Sequence, residues 1–418
     1  MRFVHVADVH LDTSFAGRSE AVRQRLRAAS REAFKLAVDL AIREDVHAFL
    51  VAGDLFDGDR LSFQTERFLL EQASRLADQG ICVVYATGNH DPGSEGTGPR
   101  SLPWPANVRV AGDATPQRVQ IQDRTGEPVG HVTTIGHESK GESRDLSRLM
   151  PRPTGGLPEV GLLHTQVRSS IGADRHDDYA PSELGYLARA GYDYWALGHV
   201  HERQQLLEDP PIWYSGSLQG RTHGDRGERG ALLVDLSDRD APAVSFRPLA
   251  PVRWETIEAT RLDDVRSLDE LERRVLMVWR SARDEDPGAS GTEWMVRIKL
   301  RGACPLWTEL QAEEDREVLA GELTELLGAL DVVVLTADVH PVVPLDEHRA
   351  RVDVLGEALR LAESLRRSTD SLRAVMSEDL AEPALEDVES LNAYVRELLR
   401  EADAEMAARM LIGEGGTS

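Results

Sequence analysis

The sequence predicts an α/β protein: a four-layer α-β-β-α sandwich over residues 1–250, a small α+β cap domain over 251–343 and a helical C-terminal tail over 344–418. Three observations carry this. Up to residue 86, short apolar runs alternate with long amphipathic stretches, as in a helix-covered, largely parallel sheet. After a Gly/Pro-rich loop at 92–105, the texture changes to short strands separated by turns, which a second sheet packed on the first would supply. Near residue 250 the pattern restarts on a smaller scale.

The elements follow in order. Residues 3–7 read as a buried strand, and 20–44 as a long helix with Leu26, Phe34, Leu36, Val38, Leu40 and Ile42 at helical spacing. A strand at 48–52, a helix at 65–78 and a strand at 81–86 complete the β-α-β-α-β run. Short strands are expected at 108–111, 118–122, 129–135, 160–164, 194–197, 212–214, 231–236 and 244–246. The cap reads as strands at 254–259, 294–300 and 332–335 with helices at 268–283 and 317–330. The tail reads as helices at 346–376 and 383–411, broken by the acidic SEDLAEP. Leu385, Val388, Leu391, Val395, Leu398 and Leu399 form one apolar stripe on the second, which packs on its own protein or docks a partner.

Composition narrows the class. A 41% hydrophobic content suits a globular chain, and no apolar run approaches the roughly 20 residues that span a bilayer. A strand that begins at Arg2 leaves no room for a secretory signal, so a cytoplasmic location without membrane attachment is expected. Cys82 and Cys304 offer neither zinc spacing nor a disulfide framework. A net charge of −24 argues against a general electrostatic grip on nucleic acid, so any such grip has to be local or supplied by a partner.

Seven residues of metal-ligand type stand at the ends of predicted strands: Asp8 and His10 in VADVH, Asp54 in VAGDLF, Asn89 in ATGNHD, His164 in LLHT, and His199 and His201 in LGHVH. Strand ends are where open α/β sheets place their chemistry. Carboxylate, amide and imidazole donors together suit a pair of divalent transition metals, Mn or Fe more readily than Mg. Two metals about 3.5–4 Å apart activate water and clamp a phosphate, which requires a carboxylate able to bridge them. Asp54, alone at its strand end, is the candidate bridge, and His90 beside Asn89 is left for another task. Singly, His164 reads more readily as a core histidine, and Asp54 and Asn89 as turn formers; their joint order favours the metal site. His5 is expected to face the core or support the site, while His47, His131, His137, His176, His340 and His348 have no partner at ligand spacing.

The set Asp8-x-His10, Gly53-Asp54, Gly88-Asn89-His90-Asp91, His164 and Gly198-His199-x-His201 resembles the calcineurin-like metallophosphoesterases. GDLFD and YDYWALGHVH are similar to the SbcD-type DNA repair exonucleases, and PPIWYSGSLQGRTHG to a YhaO-like bacterial subgroup. The resemblance implies that Asp8, His10 and His201 hold one metal, Asn89, His164 and His199 the other, with Asp54 bridging and Mn²⁺ as the usual ion. It gives His90 the task of stabilising the transition state or protonating the leaving oxygen, and Asp91 that of orienting His90 or a neighbouring loop. Asp57, where archaeal and eukaryotic members tend to carry histidine, marks a bacterial subgroup. Arg221 and His223, on a Gly-rich loop after the last motif, are candidate substrate contacts.

The expected function is therefore a metal-dependent DNA exonuclease or endonuclease in repair, hydrolysing phosphodiesters by a hydroxide bridging two metals. The resemblance further implies DNA as partner, an SMC-like coiled-coil ATPase docking the tail, and a homodimer through the catalytic domain. A small-molecule phosphodiesterase or pyrophosphatase on the same scaffold is the alternative, favoured by the acidic charge. A scaffold that binds partners without catalysis fits poorly, because all seven ligand-type residues and His90 are present.

Overall fold

Alternation along each strand decides which layer a residue enters. The computed structural model describes residues 1–57, 61–93, 101–171, 178–239, 241–286 and 291–367, together with Asp403, Met406, Ala407 and Met410. It divides into two compact units, Met1–Glu255 with Gly288–Met295, and Thr256–Pro287 with Val296–Ser418.

In chain order the first unit runs β1 (Arg2–Val6), α1 (Glu20–Arg43), β2 (Ala48–Ala52), α2 (Phe63–Asp78), β3 (Cys82–Ala86), β4 (Val108–Ala111), β5 (Gln117–Gln122), β6 (Pro128–Thr134) and β7 (Glu159–His164). It continues with α3 (Leu184–Arg189), β8 (Tyr194–Gly198), β9 (Gln204–Leu207), β10 (Ile212–Tyr214), β11 (Gly230–Asp235) and β12 (Ala243–Pro248). Two six-stranded sheets form, in the orders β12-β11-β1-β2-β3-β4 and β5-β6-β7-β8-β10-β9. Strands β1 to β4 are mutually parallel, as are β6, β7, β8 and β10.

Ala48, Leu50 and Ala52 of β2 point between the sheets, towards Val160, Leu162, Tyr194 and Ala196 of the other sheet. Phe49 and Val51, one residue out of phase, pack instead with Phe34 and Val38 of α1 and Leu69 and Leu76 of α2. Trp195 and Leu197 of β8 turn the opposite way, under Leu187 of α3. The result is the expected four-layer sandwich with helices outside. Because the central strands are parallel, the C-terminal ends of β1, β2, β3, β7 and β8 open on one rim, and the predicted site residues leave from those ends.

Caps set the helix limits. The Ser19 hydroxyl accepts from Val22 N–H to start α1, and Ser62 from Thr65 N–H to start α2, two residues before the periodicity suggests. Helix α3 and strand β9 are absent from the sequence reading: the first has six residues, and the second lies at a sheet edge with two glutamines and no apolar run.

Strands β13 (Val252–Ala259), β14 (Glu293–Ala303) and β15 (Asp331–His340) form a three-stranded sheet in that order, with helices α4 (Leu268–Glu285), α5 (Trp307–Gln311) and α6 (Glu313–Leu327) between them in the chain. Helix α6 stops at Leu327, not 330, because Gly328 takes a left-handed conformation, φ 61°. The expected helix from residue 346 is two helices, α7 (Leu345–Arg349) and α8 (Val354–Arg367). The Asp353 carboxylate accepts from Gly356 N–H at 2.8 Å, a local cap that starts a new helix where the pattern predicts continuity. Most of the expected second tail helix lies outside the described residues. Among the described residues, no helix is long and apolar enough to cross a membrane.

Candidate metal centre

Each ligand-type residue sits where its strand has just ended, and four of them are held in a conformation that L-residues rarely adopt. Asp8, His10, Asp54 and His199 have φ of 49°, 47°, 50° and 106°. Such backbone persists only where the surroundings over-determine it, and it concentrates at functional sites. Here Val9 and His10 N–H groups donate to the Asp54 carbonyl and Leu11 N–H to the Leu55 carbonyl, locking the β1 and β2 exits together.

The turns gather Asp8, His10, Asp54, Asn89, His164, His199 and His201 into one cluster. Donor atoms of Asp8, His10 and His201 lie within 4.8 Å of one another, as do those of Asp8, Asp54 and His164. Asp54 Oδ2 stands 3.7 Å from His10 Nε2 and 3.4 Å from His164 Nε2, so this one carboxylate lies between two imidazoles. Asn89 Oδ1 lies 2.9 Å from His164 Nε2 and 3.1 Å from His199 Nδ1. His199 N–H donates to the Asp8 carboxylate at 3.1 Å, tying the two sheets at the rim.

The electrostatics calls for cations. Burial, opposed by His201 and the His199 N–H, pushes the Asp8 carboxyl up to about 6. Burial, then the Asp91 and Asp8 charges, raises Asp54 well above the carboxylate range. Burial also holds His10 and His164 well below the usual imidazole value, aided by Arg221 at His10 and by His199 at His164. Neutral imidazoles beside crowded carboxylates are the state that divalent metals bind. His10 Nε2 is buried with no hydrogen-bond partner, so its lone pair is available. A Cβ at Gly88 would stand 2.2 Å from Asp54 Oδ1 and 2.9 Å from His164 Nε2, so the chain keeps this cradle clear. The residues present fit two divalent metals on all three counts.

The surrounding groups fix these side chains. His164 Nδ1 donates to the Ala52 carbonyl at 2.8 Å, orienting Nε2 towards Asp54. His137, set aside in the sequence, lies 2.8 Å by Nε2 from the His164 carbonyl and edge-on to its ring. Asp57, read from sequence only as a subgroup marker, is central. Its Oδ1 takes His10 Nδ1 at 2.8 Å and His90 Nδ1 at 2.7 Å, and its Oδ2 takes Thr13 Oγ1 at 2.7 Å and Arg221 Nη1 at 3.0 Å. Burial works to raise the Asp57 carboxyl, yet hydrogen bonds from His10 and His90 hold it far below the carboxylate range. Its only signal in the sequence is a place three residues after Asp54 in GDLFD.

His90 is exposed on the rim, with its N–H donated to Asp54 Oδ1 at 2.9 Å and its ring edge-on to His10. The Asp91 carboxylate turns to the backbone instead of to His90: it accepts from the N–H groups of Asp54, Leu55 and Gly88 and from the Tyr85 hydroxyl. These bonds tie Gly88 to the backbone of Asp54 and Leu55. Arg221 reaches the cluster directly, 3.3 Å from His201 Nε2. His223 lies further along the same loop, edge-on to Trp254 and 3.3 Å from Arg18 Nη2. Asp225, unremarked in the sequence, accepts from Arg221 and Thr222 N–H groups and stands 3.6 Å from His201 Nδ1. His5 supports the site from the core, between the Tyr194 hydroxyl and the Leu197 carbonyl.

Comparison with known proteins agrees with this geometry. The family model of the calcineurin-like phosphoesterases matches residues 1–203. The uncharacterized metallophosphoesterase YhaO of Bacillus subtilis is 31% identical over 335 residues, covering 79% of this chain and 77% of that protein. The DNA double-strand break repair protein Mre11 of Sulfolobus acidocaldarius is 22% identical over 75% of this chain and 80% of its own length. A component of the nuclease SbcCD from Rhodobacter capsulatus is 27% identical over 58% of this chain and 68% of its own length. Motifs, fold and relatives agree: this chain belongs to the calcineurin-like metallophosphoesterases, hydrolases that work with two divalent metals.

Proposed function

We propose that the protein is a Mn²⁺-dependent DNA nuclease of repair, cutting phosphodiester bonds at the rim where the strands end. The observation that carries the reading is Asp54 standing between His10 and His164, with His90 on the open side. Asp8, His10 and His201 would hold one metal and Asn89, His164 and His199 the other, with Asp54 shared. When bound, the pair supplies Lewis acidity and activates water at neutral pH.

The chain's own residues do the rest. His90, oriented through Nδ1 by Asp57, presents its outer face to the leaving oxygen and protonates it. Arg221, fixed by Asp57 beside His201, neutralises a phosphoryl oxygen, and His223 on the same loop is a second candidate contact for the substrate strand. Asp91 keeps the β2 and β3 exits in register. The names of the Mre11 and SbcCD relatives support DNA as substrate. By the same analogy residues 251–343 act as a cap that selects DNA ends. The tail from 344 docks an SMC-like coiled-coil ATPase, and the protein works in the cytoplasm as a homodimer. A net charge of −24 favours one rival, a small-molecule phosphodiesterase or pyrophosphatase.

The test is Mn²⁺-dependent cleavage of end-labelled single- and double-stranded DNA beside bis-p-nitrophenyl phosphate, for wild type and His90→Ala. Cleavage of both, lost in the variant, upholds the nuclease. Diester cleavage with DNA left intact, also after addition of an SMC-like ATPase from the same cells, upholds the rival.

A further inference from the structure

A second basic element adjoins this rim, on helix α1, and nothing in the metal site uses it. A groove of about 640 Å³ opens between α1 and the start of α2, and Asp57 lines it at the end nearest His10 and His90. Arg27 and Arg31 also line it. Four residues apart on one helix, they stand one above the other, about 6 Å apart along the axis.

Among the described residues, neither arginine makes a hydrogen bond or ion pair with a carboxylate, and Asp12 and Glu20 act on them only at longer range. Arg27 donates to backbone carbonyls, Nε to Thr13 at 3.0 Å and Nη2 to Ser14 at 3.3 Å, so its guanidinium is fixed in place. Among the same residues Arg31 makes no hydrogen bond and no ion pair with a carboxylate. Burial lowers the Arg31 guanidinium most; the Asp12 charge acts against it, and the smaller influence of Arg27 acts with it. The acids of the groove make their hydrogen bonds elsewhere. Asp12 accepts from Ser62 and Thr65 at the cap of α2, Glu20 from Arg23 and Gln24, and Asp57 from His10, Thr13 and Arg221.

In a chain of net charge −24, two half-buried guanidiniums on one helix, neither ion-paired among the described residues, stand beside a phosphoester site. We infer that Arg27 and Arg31 form a phosphate subsite for the strand that continues past the scissile bond, so that the substrate is a polynucleotide. The inference rests on the nuclease reading and gives it a direction: the strand leaves the rim along α1. It also supplies the local grip that the overall charge withholds.

The test is binding of a fluorescein-labelled (dT)20 strand to the full chain in EDTA, followed by anisotropy against salt, with cleavage of the same strand in Mn²⁺ measured in parallel. Arg31→Gln is the cleaner variant, because Arg31 holds no backbone group. It is expected to weaken binding about tenfold. It should also reduce the log Kd against log salt slope by about 0.7, one phosphate contact on a single strand. Arg31→Lys should restore the slope, which a merely structural role for Arg31 would not predict. Equal affinity and slope in wild type and Arg31→Gln, or no binding by wild type, overturn the subsite. Binding that depends on Arg31 without cleavage in Mn²⁺ upholds the subsite and overturns the nuclease reading alone.

Discussion

Replacing Asp57 by asparagine tests the geometry most sharply, because one carboxylate serves two histidines with different tasks. Oδ1 takes His10 and His90, and Oδ2 takes Thr13 and Arg221. Asparagine keeps the shape but has one acceptor oxygen and an amide that only donates. If its oxygen stays with the histidines, its NH₂ faces the Arg221 guanidinium, donor against donor. If it turns, both imidazoles lose their acceptor. Loss of the carboxylate behind a ligating histidine costs about 10–100-fold in metal affinity or activity. Misorienting His90 forfeits part of a general-acid contribution that is about 100-fold at its lower end. The expected total is a fall in kcat/KM on bis-p-nitrophenyl phosphate of about 100-fold or more, roughly 2.7 kcal/mol. The two contributions separate by assay: Mn²⁺ affinity by calorimetry reports His10, and kcat at saturating Mn²⁺ reports His90. Affinity and kcat both within twofold of wild type would refute the whole account. Full recovery of kcat at saturating Mn²⁺ would refute the part that runs through His90.

Other consequences follow from the same packing. Gly88→Ala places a Cβ 2.2 Å from Asp54 Oδ1, so bound metal by elemental analysis should be lost and activity should fall about 100-fold or more, with circular dichroism unchanged. Asp54→Asn removes a carboxyl that burial, Asp91 and Asp8 push towards its protonated form at a cost to the metal-free fold. The apo variant should therefore melt above wild type in EDTA, while it forgoes the gain of about 2.7 kcal/mol that Mn²⁺ at 100 times Kd gives wild type. A melting point below wild type in EDTA would contradict the assigned repulsion. Burial holds the His5 imidazole at about 3, opposed by its hydrogen bond to Leu197, against about 6.5 in the unfolded chain. The unfolded state thus binds the extra proton between those values, so the His5 contribution is complete above pH 6.5 and is lost as pH falls towards 3. At pH 5 the loss is about 2 kcal/mol, and His5→Gln should show a correspondingly shallower fall of Tm between pH 7 and 5. Parallel slopes would remove His5 from the account.

What the sequence discloses and what it conceals divide along a physical line. Residues 48–52 alternate between two cores, and that period-two pattern in AFLVA can be read without coordinates because burial on both faces leaves only apolar residues. Asp8, Asp54, Asn89, His164 and His199 stand out because a polar group directly after such a run has to leave the sheet at the rim. The groups that aim them do not stand out. Ala52 orients His164 through its carbonyl, a group every residue carries, and His137 meets His164 only because the chain past β6 passes the exit of β7. Asp57 and Arg221 are 164 residues apart, and their pairing exists only once two sheets close over one another. Arg27 and Arg31 show the same limit from the other side: their spacing is visible in the sequence, but their lack of an ion pair among the described residues is not. That lack emerges only when Asp12 is seen capping α2 and Glu20 is seen held by Arg23 and Gln24. A count of −24 therefore says little about whether the protein can grip a phosphate backbone. What decides it is how many of its cations the fold leaves without a direct ion pair beside the site, and among the described residues of this rim Arg27 and Arg31 are two such.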